Sequence, residues 1–320
     1  MTLLDVDNLS LSYRTLAGDI QALRQVSVQA RAGEVVGIMG ESGCGKSTLA
    51  AAIINLLGVN ARVTGGQVRF RGTDILTMSA DMQRRLRGPK IGMIFQDPMT
   101  AFNPVLTIGA QLIDFQHHLG AGQAEKRANA QAMLARVGIP DAALCLRRYP
   151  HEMSGGMRQR AAIAAALLLQ PDVLVADEPT TALDVTLEAQ IIHLLRELRQ
   201  DYRGAIIIVT HHLGVIAELC DRVVVMYAGQ VVEEGLVDDI YHAPLHPYTA
   251  ALIACDPGAI STVGGRLPTI GGRLPDLINP SSGCAFAPRC SVAMDLCHAV
   301  PPPRVAVSAT QSALCHRVQA

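Results

Sequence analysis

One stretch constrains this chain more than any other: Val35-Val36-Gly37-Ile38-Met39-Gly40-Glu41-Ser42-Gly43-Cys44-Gly45-Lys46-Ser47-Thr48. A short apolar run leads into a glycine-rich turn, and Leu49 to Leu57 follows with helical character. That order predicts a buried strand, a turn and a helix. Gly40 to Ser47 fits G-x-x-x-x-G-K-[ST], the spacing of a phosphate-cradling loop. The glycines let successive backbone N–H groups face one concavity and form an anion nest. The helix that follows brings its positive dipole end and unpaired N–H groups to the same spot. Lys46 can reach the terminal phosphates as a point charge, and the Ser47 hydroxyl can ligate Mg²⁺. A plain glycine turn in an ordinary α/β protein needs neither residue. The chain is therefore expected to bind a nucleoside triphosphate through Gly40, Glu41, Ser42, Gly43, Cys44, Gly45, Lys46, Ser47 and Thr48.

The 320 residues suffice for one large or two modest domains. Apolar residues at 49% and charged residues at 17% describe a globular chain. Lys plus Arg is 27 against 28 for Asp plus Glu, so charge gives no case for nucleic acid as the main partner. The sequence has no Trp and only 3% aromatics, which removes the usual platform for base stacking. Asp5 and Asp7 stand where a signal peptide would need an apolar core. The longest apolar runs, Ala161–Leu169 and Val223–Met226, are too short to span a bilayer. A soluble, cytoplasmic chain is the expectation.

Alternation from Leu3 to Tyr13 has the period of a half-buried strand, and Gln21 to Gln29 repeats it. Gly65 to Gly72 suggests a further short hairpin, giving a small antiparallel sheet beside the nucleotide core. Ile91–Phe95, Val173–Asp177, Ala205–Thr210 and Val223–Tyr227 read as buried strands. Thr107 to Val137, Met157–Gln170 and Val185–Arg199 read as helical. Strands alternating with helices imply a mainly parallel sheet. From about Tyr241 the composition shifts to Pro, Gly and Cys, and Gly264-Gly265-Arg266-Leu267-Pro268 recurs as Gly271-Gly272-Arg273-Leu274-Pro275. Two copies cannot build a repeat fold. The boundary is expected near residue 240.

Asp177-Glu178 closes the most apolar strand, where Asp177 can orient Mg²⁺ through its water shell and Glu178 can polarise an attacking water. Phosphoryl transfer asks for positioning and charge neutralisation, so one carboxylate, one cation and one metal suffice. Met153-Ser154-Gly155-Gly156-Met157 stands close to the Leu-Ser-Gly-Gly-Gln signature. With Tyr13, the phosphate loop, Gln96, Ala182-Leu183-Asp184 and His211 in the expected order, the chain resembles an ATP-binding-cassette (ABC) ATPase over residues 3 to about 240.

The resemblance implies an α/β fold of the P-loop ABC ATPase type, with a RecA-like parallel-sheet core, a small antiparallel β subdomain and a helical signature subdomain. The nucleotide-binding domain would be 1–240, the helical subdomain about 97–160, and 241–320 a Cys-rich C-terminal extension. Such ATPases work as head-to-tail pairs. Ser154, Gly155, Gly156 and Met157 would then meet ATP bound on a partner, and Asp184 would belong to the D-loop. Tyr13 would stack on adenine. Ser47, Gln96 and Asp177 would hold Mg²⁺, while Glu178, Gln96 and His211 would serve hydrolysis. Two departures stand out: Met153 and Met157 replace the more common Leu and Gln of the signature, and His212 occupies a position where the family usually has Asp.

His246-Pro247-Tyr248-Thr249 and Asp97-Pro98-Met99-Thr100-Ala101-Phe102-Asn103-Pro104 resemble segments of the dipeptide, oligopeptide and nickel importer ATPases. Of the eight cysteines, Cys284, Cys290, Cys297 and Cys315 crowd into the last 37 residues, with spacers of five, six and seventeen. Clustered cysteines in a cytosolic chain point to metal before disulfide. Four thiolates suit zinc or an iron–sulfur cube. Gly283 to Cys290 resembles the cluster-bearing tail of dipeptide-permease ATPases, which implies [4Fe–4S], with zinc as the alternative. A tail so poor in apolar residues is expected to need a metal staple for folding.

The resulting expectation is an ATPase that drives peptide import from the cytoplasmic face of the inner membrane. Its partners would be a second, distinct ABC ATPase subunit, two transmembrane permease subunits and, indirectly, an extracytoplasmic solute-binding protein, with no nucleic acid. One alternative keeps the motor and changes the cargo to nickel or another small solute. Another is a soluble ABC ATPase acting on nucleic acid or ribosomes, and a third is an iron–sulfur redox or sensing protein with a vestigial ATPase.

Overall fold

The computed structural model describes residues 1–98, 100–181, 183–256 and 268–319. The first copy of the Gly-Gly-Arg-Leu-Pro duplication, up to Leu267, falls outside them, as do Met99 and Ala182 of two quoted motifs. The chain divides into two compact units, one of Met1–Thr77 with Val209–Ala320 and the other of Met78–Ile208.

The first unit opens with β1 (Thr2–Thr15) and β2 (Gly18–Arg31), an antiparallel pair joined by a tight turn. Leu4, Val6, Leu9 and Leu11 are buried along β1, which is the alternation seen in the sequence. The period breaks at Asn8 on β1 and Gln25 on β2, both left-handed (φ 49° and 52°), where the register shifts. Ser27 and Ser10 repair these bulges by accepting the Asn8 and Gln25 N–H groups at 3.0 Å each. After β3 (Val35–Met39) and α1 (Lys46–Ile53), β4 (Ala61–Phe70) pairs with β1 and with the short β5 (Thr73–Asp74), completing a sheet ordered β2-β1-β4-β5. The expected small antiparallel sheet is present.

The second unit contains α2 (Ala80–Leu86), β6 (Ile91–Ile94), α3 (Ile108–Phe115), α4 (Gln123–Arg136), α5 (Ala142–Cys145), α6 (Gly155–Leu167), β7 (Val173–Asp177), α7 (Val185–Asp201) and β8 (Ala205–Val209). Strands β8, β7 and β6 lie side by side in that order. β6 and β7 run parallel, from Ile91 opposite Val173 to Ile94 opposite Ala176. All five residues of β7 and of β8 are buried, as apolar runs with helix crossovers require.

The chain then returns to the first unit with α8 (Leu213–Leu219), β9 (Arg222–Tyr227), β10 (Gln230–Leu236), α9 (Val237–His242), α10 (Pro247–Ala254), α11 (Asp295–Ala299), β11 (Arg304–Ala306) and β12 (Ser312–Leu314). β3 and β9 are parallel, and β10, β12 and β11 extend that sheet antiparallel.

Three expectations are corrected. The phosphate-loop helix was expected to reach Leu57 but stops at Ile53, because Asn55 turns left-handed (φ 50°) and its amide donates to the Ile75 carbonyl at 2.9 Å. The helix expected at Met157–Gln170 runs from Gly155 to Leu167, so the signature glycines are its first turn, and Gln170 (φ 49°) lies beyond its end. The tail is richer in packing than its composition suggests. Tyr248, Phe286, Ala287 and Ala313 are all buried, and β12 pairs with β10.

Candidate nucleotide site

β3 is buried along its whole length and delivers the chain to the phosphate loop. Two glycines there admit no side chain. A Cβ on Gly40 (φ 151°) would stand 2.2 Å from the Met226 carbonyl oxygen, and one on Gly45 (φ 107°) 2.6 Å from that of Ala22. Gly45 is the N-cap of α1 and has no side chain to occupy the N–H groups behind it. Lys46 follows at the first helical position and is 5% exposed. Its Nζ donates to the carbonyls of Gly40 at 2.8 Å and Glu41 at 3.0 Å, which folds the ammonium back onto the start of the loop. Ser42, Gly43 and Ser47 are exposed, whereas Cys44 is buried and its thiol is pushed up by burial. Cys44 therefore packs as a neutral thiol.

Glu41 is held at both its backbone and its side chain. Its N–H donates to the Tyr248 hydroxyl at 2.8 Å, and its carboxylate accepts from Arg289 at 2.6 and 2.9 Å. The His-Pro-Tyr-Thr motif thus has a local purpose that its sequence did not disclose. Tyr13 sits half-buried on β1, opposite Ile20 and Ala61. His211 is exposed at the end of Thr210, and its ring lies 4.3 Å from that of His212, tilted by 40°. His212 is the N-cap residue of α8 but makes no side-chain cap, the role an Asp there would fill. Its N–H donates instead to Thr210 Oγ1 at 3.0 Å.

In the second unit, β7 ends on Asp177, which is 6% exposed. Glu178 follows in the left-handed region (φ 48°), a conformation that costs a non-glycine residue about 1 kcal/mol and tends to mark functional sites. Its Oε2 accepts from Gln96 Nε2 at 3.1 Å and from Thr181 Oγ1 at 2.7 Å. Gln96 and Glu178 are thus brought together across 82 positions. Thr181 was not anticipated.

Ser154 caps α6, its Oγ accepting from the Met157 N–H at 3.3 Å. Gly155 faces open space, whereas a Cβ on Gly156 would meet Leu187 Cδ2 at 2.9 Å. The first glycine leaves room in front of the helix end and the second lets it pack closely. Met153 is buried and Met157 half-buried, so both flank the helix start as packing residues. The buried Gln159 donates to the Pro179 carbonyl at 2.6 Å, linking the signature helix to the turn after Glu178. Asp184 caps α7 through Leu187 N–H at 2.9 Å. The Asp expected in a D-loop stands as an ordinary N-cap.

In the tail, Cys284, Cys290, Cys297 and Cys315 line one small cavity together with His246, Pro247 and Phe286. The Cys284 N–H donates to the Cys297 carbonyl at 2.7 Å. Burial raises the Cys284 and Cys290 thiols above their ordinary range. Among the described residues, however, no group of three or more His, Cys, Asp or Glu side chains is arranged to hold a metal ion. The expected ligand set is gathered around one cavity but does not stand as a metal site.

The profile described as "ABC transporter" matches residues 23–181, and that described as "Oligopeptide/dipeptide transporter, C-terminal region" matches residues 232–297. The oligopeptide transport ATP-binding protein OppD of Salmonella typhimurium is 46% identical over 94% of this chain and 89% of its own length. The dipeptide transport ATP-binding protein DppD of Bacillus subtilis is 45% identical over 98% and 93%. Among solved structures, the dimeric bacterial ABC transporter cassette MJ0796 aligns with a TM-score of 0.66 at 29% identity, covering 73% of this chain and 99% of that one. A post-hydrolysis state of the same cassette, bound to ADP and Pi, aligns at 0.65. The chain has the P-loop ABC ATPase fold, and it belongs to the ABC transporter ATP-binding proteins that carry the oligopeptide/dipeptide transporter C-terminal region.

Proposed function

We propose that this chain is the ATP-hydrolysing subunit of an importer that takes up dipeptides and oligopeptides. The observation that carries the reading is the union, in one chain, of the ABC transporter module with the oligopeptide/dipeptide C-terminal region. The relatives named above are described as oligopeptide and dipeptide transport proteins. They lend no support to a nickel motor or to an ATPase acting on nucleic acid or ribosomes.

In this reading Lys46 and the loop N–H groups bind the β- and γ-phosphates of ATP, and Tyr13 stacks on adenine. Ser47, Asp177 and Gln96 offer only oxygen donors, a set suited to Mg²⁺ and not to a soft metal. When bound, Mg²⁺ neutralises phosphate charge. Glu178, oriented by Gln96 and Thr181, accepts a proton from the attacking water, and His211 contacts the γ-phosphate. The exposed end of α6, with Ser154, Gly155 and Gly156, serves the nucleotide of a second ATPase subunit. The MJ0796 cassette is dimeric. Here the pair would be a heterodimer with a homologous subunit.

No helix among the described residues is long and apolar enough to cross a membrane. Two permease subunits would supply the path, a solute-binding protein would deliver cargo, and this chain would lie on the cytoplasmic face of the inner membrane. The nucleotide-binding domain would be 1–240 and the C-terminal extension 241–320. The finest part of the reading is a [4Fe–4S] cluster on Cys284, Cys290, Cys297 and Cys315, with zinc as the alternative; the four residues line one cavity, although no three of their side chains are set to hold an ion. Anaerobically purified protein with iron and sulfide near four per chain would support the cube. Protein with one zinc would replace it, and protein with neither would remove both.

The test of the whole is uptake of a labelled dipeptide into vesicles carrying the chain with its membrane subunits. Uptake that requires ATP is expected. Uptake of nickel in place of peptide, or recovery of the chain on ribosomes or DNA, would overturn the cargo and the setting respectively.

A further inference from the structure

Glu41 is an unexpected residue to find inside an anion nest. It is the first variable position of the phosphate loop, and its carboxylate carries the charge that a triphosphate would repel. The structure deals with that charge through a residue 248 positions away. Arg289 Nη1 donates to Oε2 at 2.6 Å and Nη2 to Oε1 at 2.9 Å, a bidentate fork across both carboxylate oxygens. The fork is fixed independently of Glu41. Nε donates to the Gly271 carbonyl at 2.9 Å, Nη2 to that of Ile270 at 3.1 Å, and Nη1 to the Tyr227 hydroxyl at 3.2 Å. The guanidinium also lies 5.7 Å from the centroid of the Tyr227 ring.

The Arg289 side chain is 3% exposed and that of Glu41 24%. The cation is therefore the preset member and the carboxylate the one drawn to it. Tyr248, fully buried, takes the Glu41 N–H and fixes the backbone at the same point.

We propose that Arg289 is a positioning residue for the phosphate loop: it neutralises Glu41 and holds its carboxylate away from the phosphates, so that ATP affinity depends on the C-terminal region. The inference rests on Gly40–Ser47 being the ATP site. It assigns Arg289 no contact with nucleotide. A lysine could supply the charge but not the fork, since an ammonium is a point donor. A purely structural staple would show as lost stability, whereas the positioning role shows as lost ATP affinity in a chain that still folds.

The test is Mg-ATP binding to the full chain, with folding followed by circular dichroism. Arg289→Met should weaken ATP binding at least about tenfold, near the low end of the scale for leaving a close charge unpaired. Arg289→Lys should fall between wild type and Arg289→Met. Adding Glu41→Gln to Arg289→Met should restore affinity to within about threefold of wild type, because the amide no longer repels phosphate. Wild-type affinity in Arg289→Met would overturn the inference, and so would a folded double variant that binds as weakly as the single one. If Arg289→Met fails to fold, Arg289→Lys decides: weakened binding supports the role and unchanged binding overturns it. A wild-type chain that binds no ATP would sink the nucleotide reading and this inference together, whereas a failed variant series on a binding wild type would sink only the latter.

Discussion

Gly40 and Lys46 show how little freedom the phosphate loop has. Gly40→Ala would drive a methyl group to 2.2 Å from a backbone oxygen that cannot step aside, at a φ of 151° that alanine avoids. Its expected result is the loss of ATP binding with destabilisation of at least about 2 kcal/mol, measurable by nucleotide titration and thermal melting. Lys46→Ala, which removes a cation held by two loop carbonyls, is expected to abolish ATP binding while melting shifts far less. These residues were legible because the motif is local: eight consecutive positions specify turn, charge and hydroxyl together. Arg289 was not. No pattern near it signals a partner 248 residues away, and an arginine before a cysteine carries no spacing rule. Thr181 escaped for a different reason, since a threonine two residues after a proline reads as turn composition until Glu178 is seen to accept its hydroxyl.

Elements were readable to the extent that their periodicity was complete. β7 and β8 stood out as unbroken apolar runs, and their observed spans differ from the expected ones by no more than one residue. Helix ends were misjudged where a single left-handed residue decides the stop, as at Asn55 and Gln170. The elements of the tail were least legible, because a segment rich in Pro, Gly and Cys carries no period. What anchors it is a buried polar hub on β10. Glu233, with no exposed surface, accepts from the Leu245 N–H at 2.7 Å, the His246 N–H at 2.9 Å and Gln311 Nε2 at 3.2 Å. Glu233→Ala would leave the Leu245 and His246 N–H groups without their acceptor and Gln311 Nε2 with only the Ala243 carbonyl at 3.0 Å, and is expected to cost about 3 kcal/mol or more in urea unfolding. Unchanged stability would mean that apolar packing alone holds the tail. At the signature, Ser154→Ala should destabilise by about 1 kcal/mol through loss of the α6 cap, and more severely impair hydrolysis by the paired subunits.

For the whole molecule, the family was legible because its motifs occur in order along the chain, which needs no knowledge of contacts. The metal expectation was less legible for a physical reason: spacing can nominate four thiols, but ligation depends on where the fold sets their sulfur atoms. They line one cavity without forming a metal site. The proposed function turns on ATP hydrolysis through Glu178 within an assembled transporter. The most direct measurement is phosphate release by that assembly, comparing the unaltered chain with Glu178→Gln and titrating ATP binding in parallel. The substitution is expected to lower the rate at least about a hundredfold, the scale of a lost general base, while ATP still binds. Hydrolysis by Glu178→Gln at the unaltered rate would contradict the proposed function.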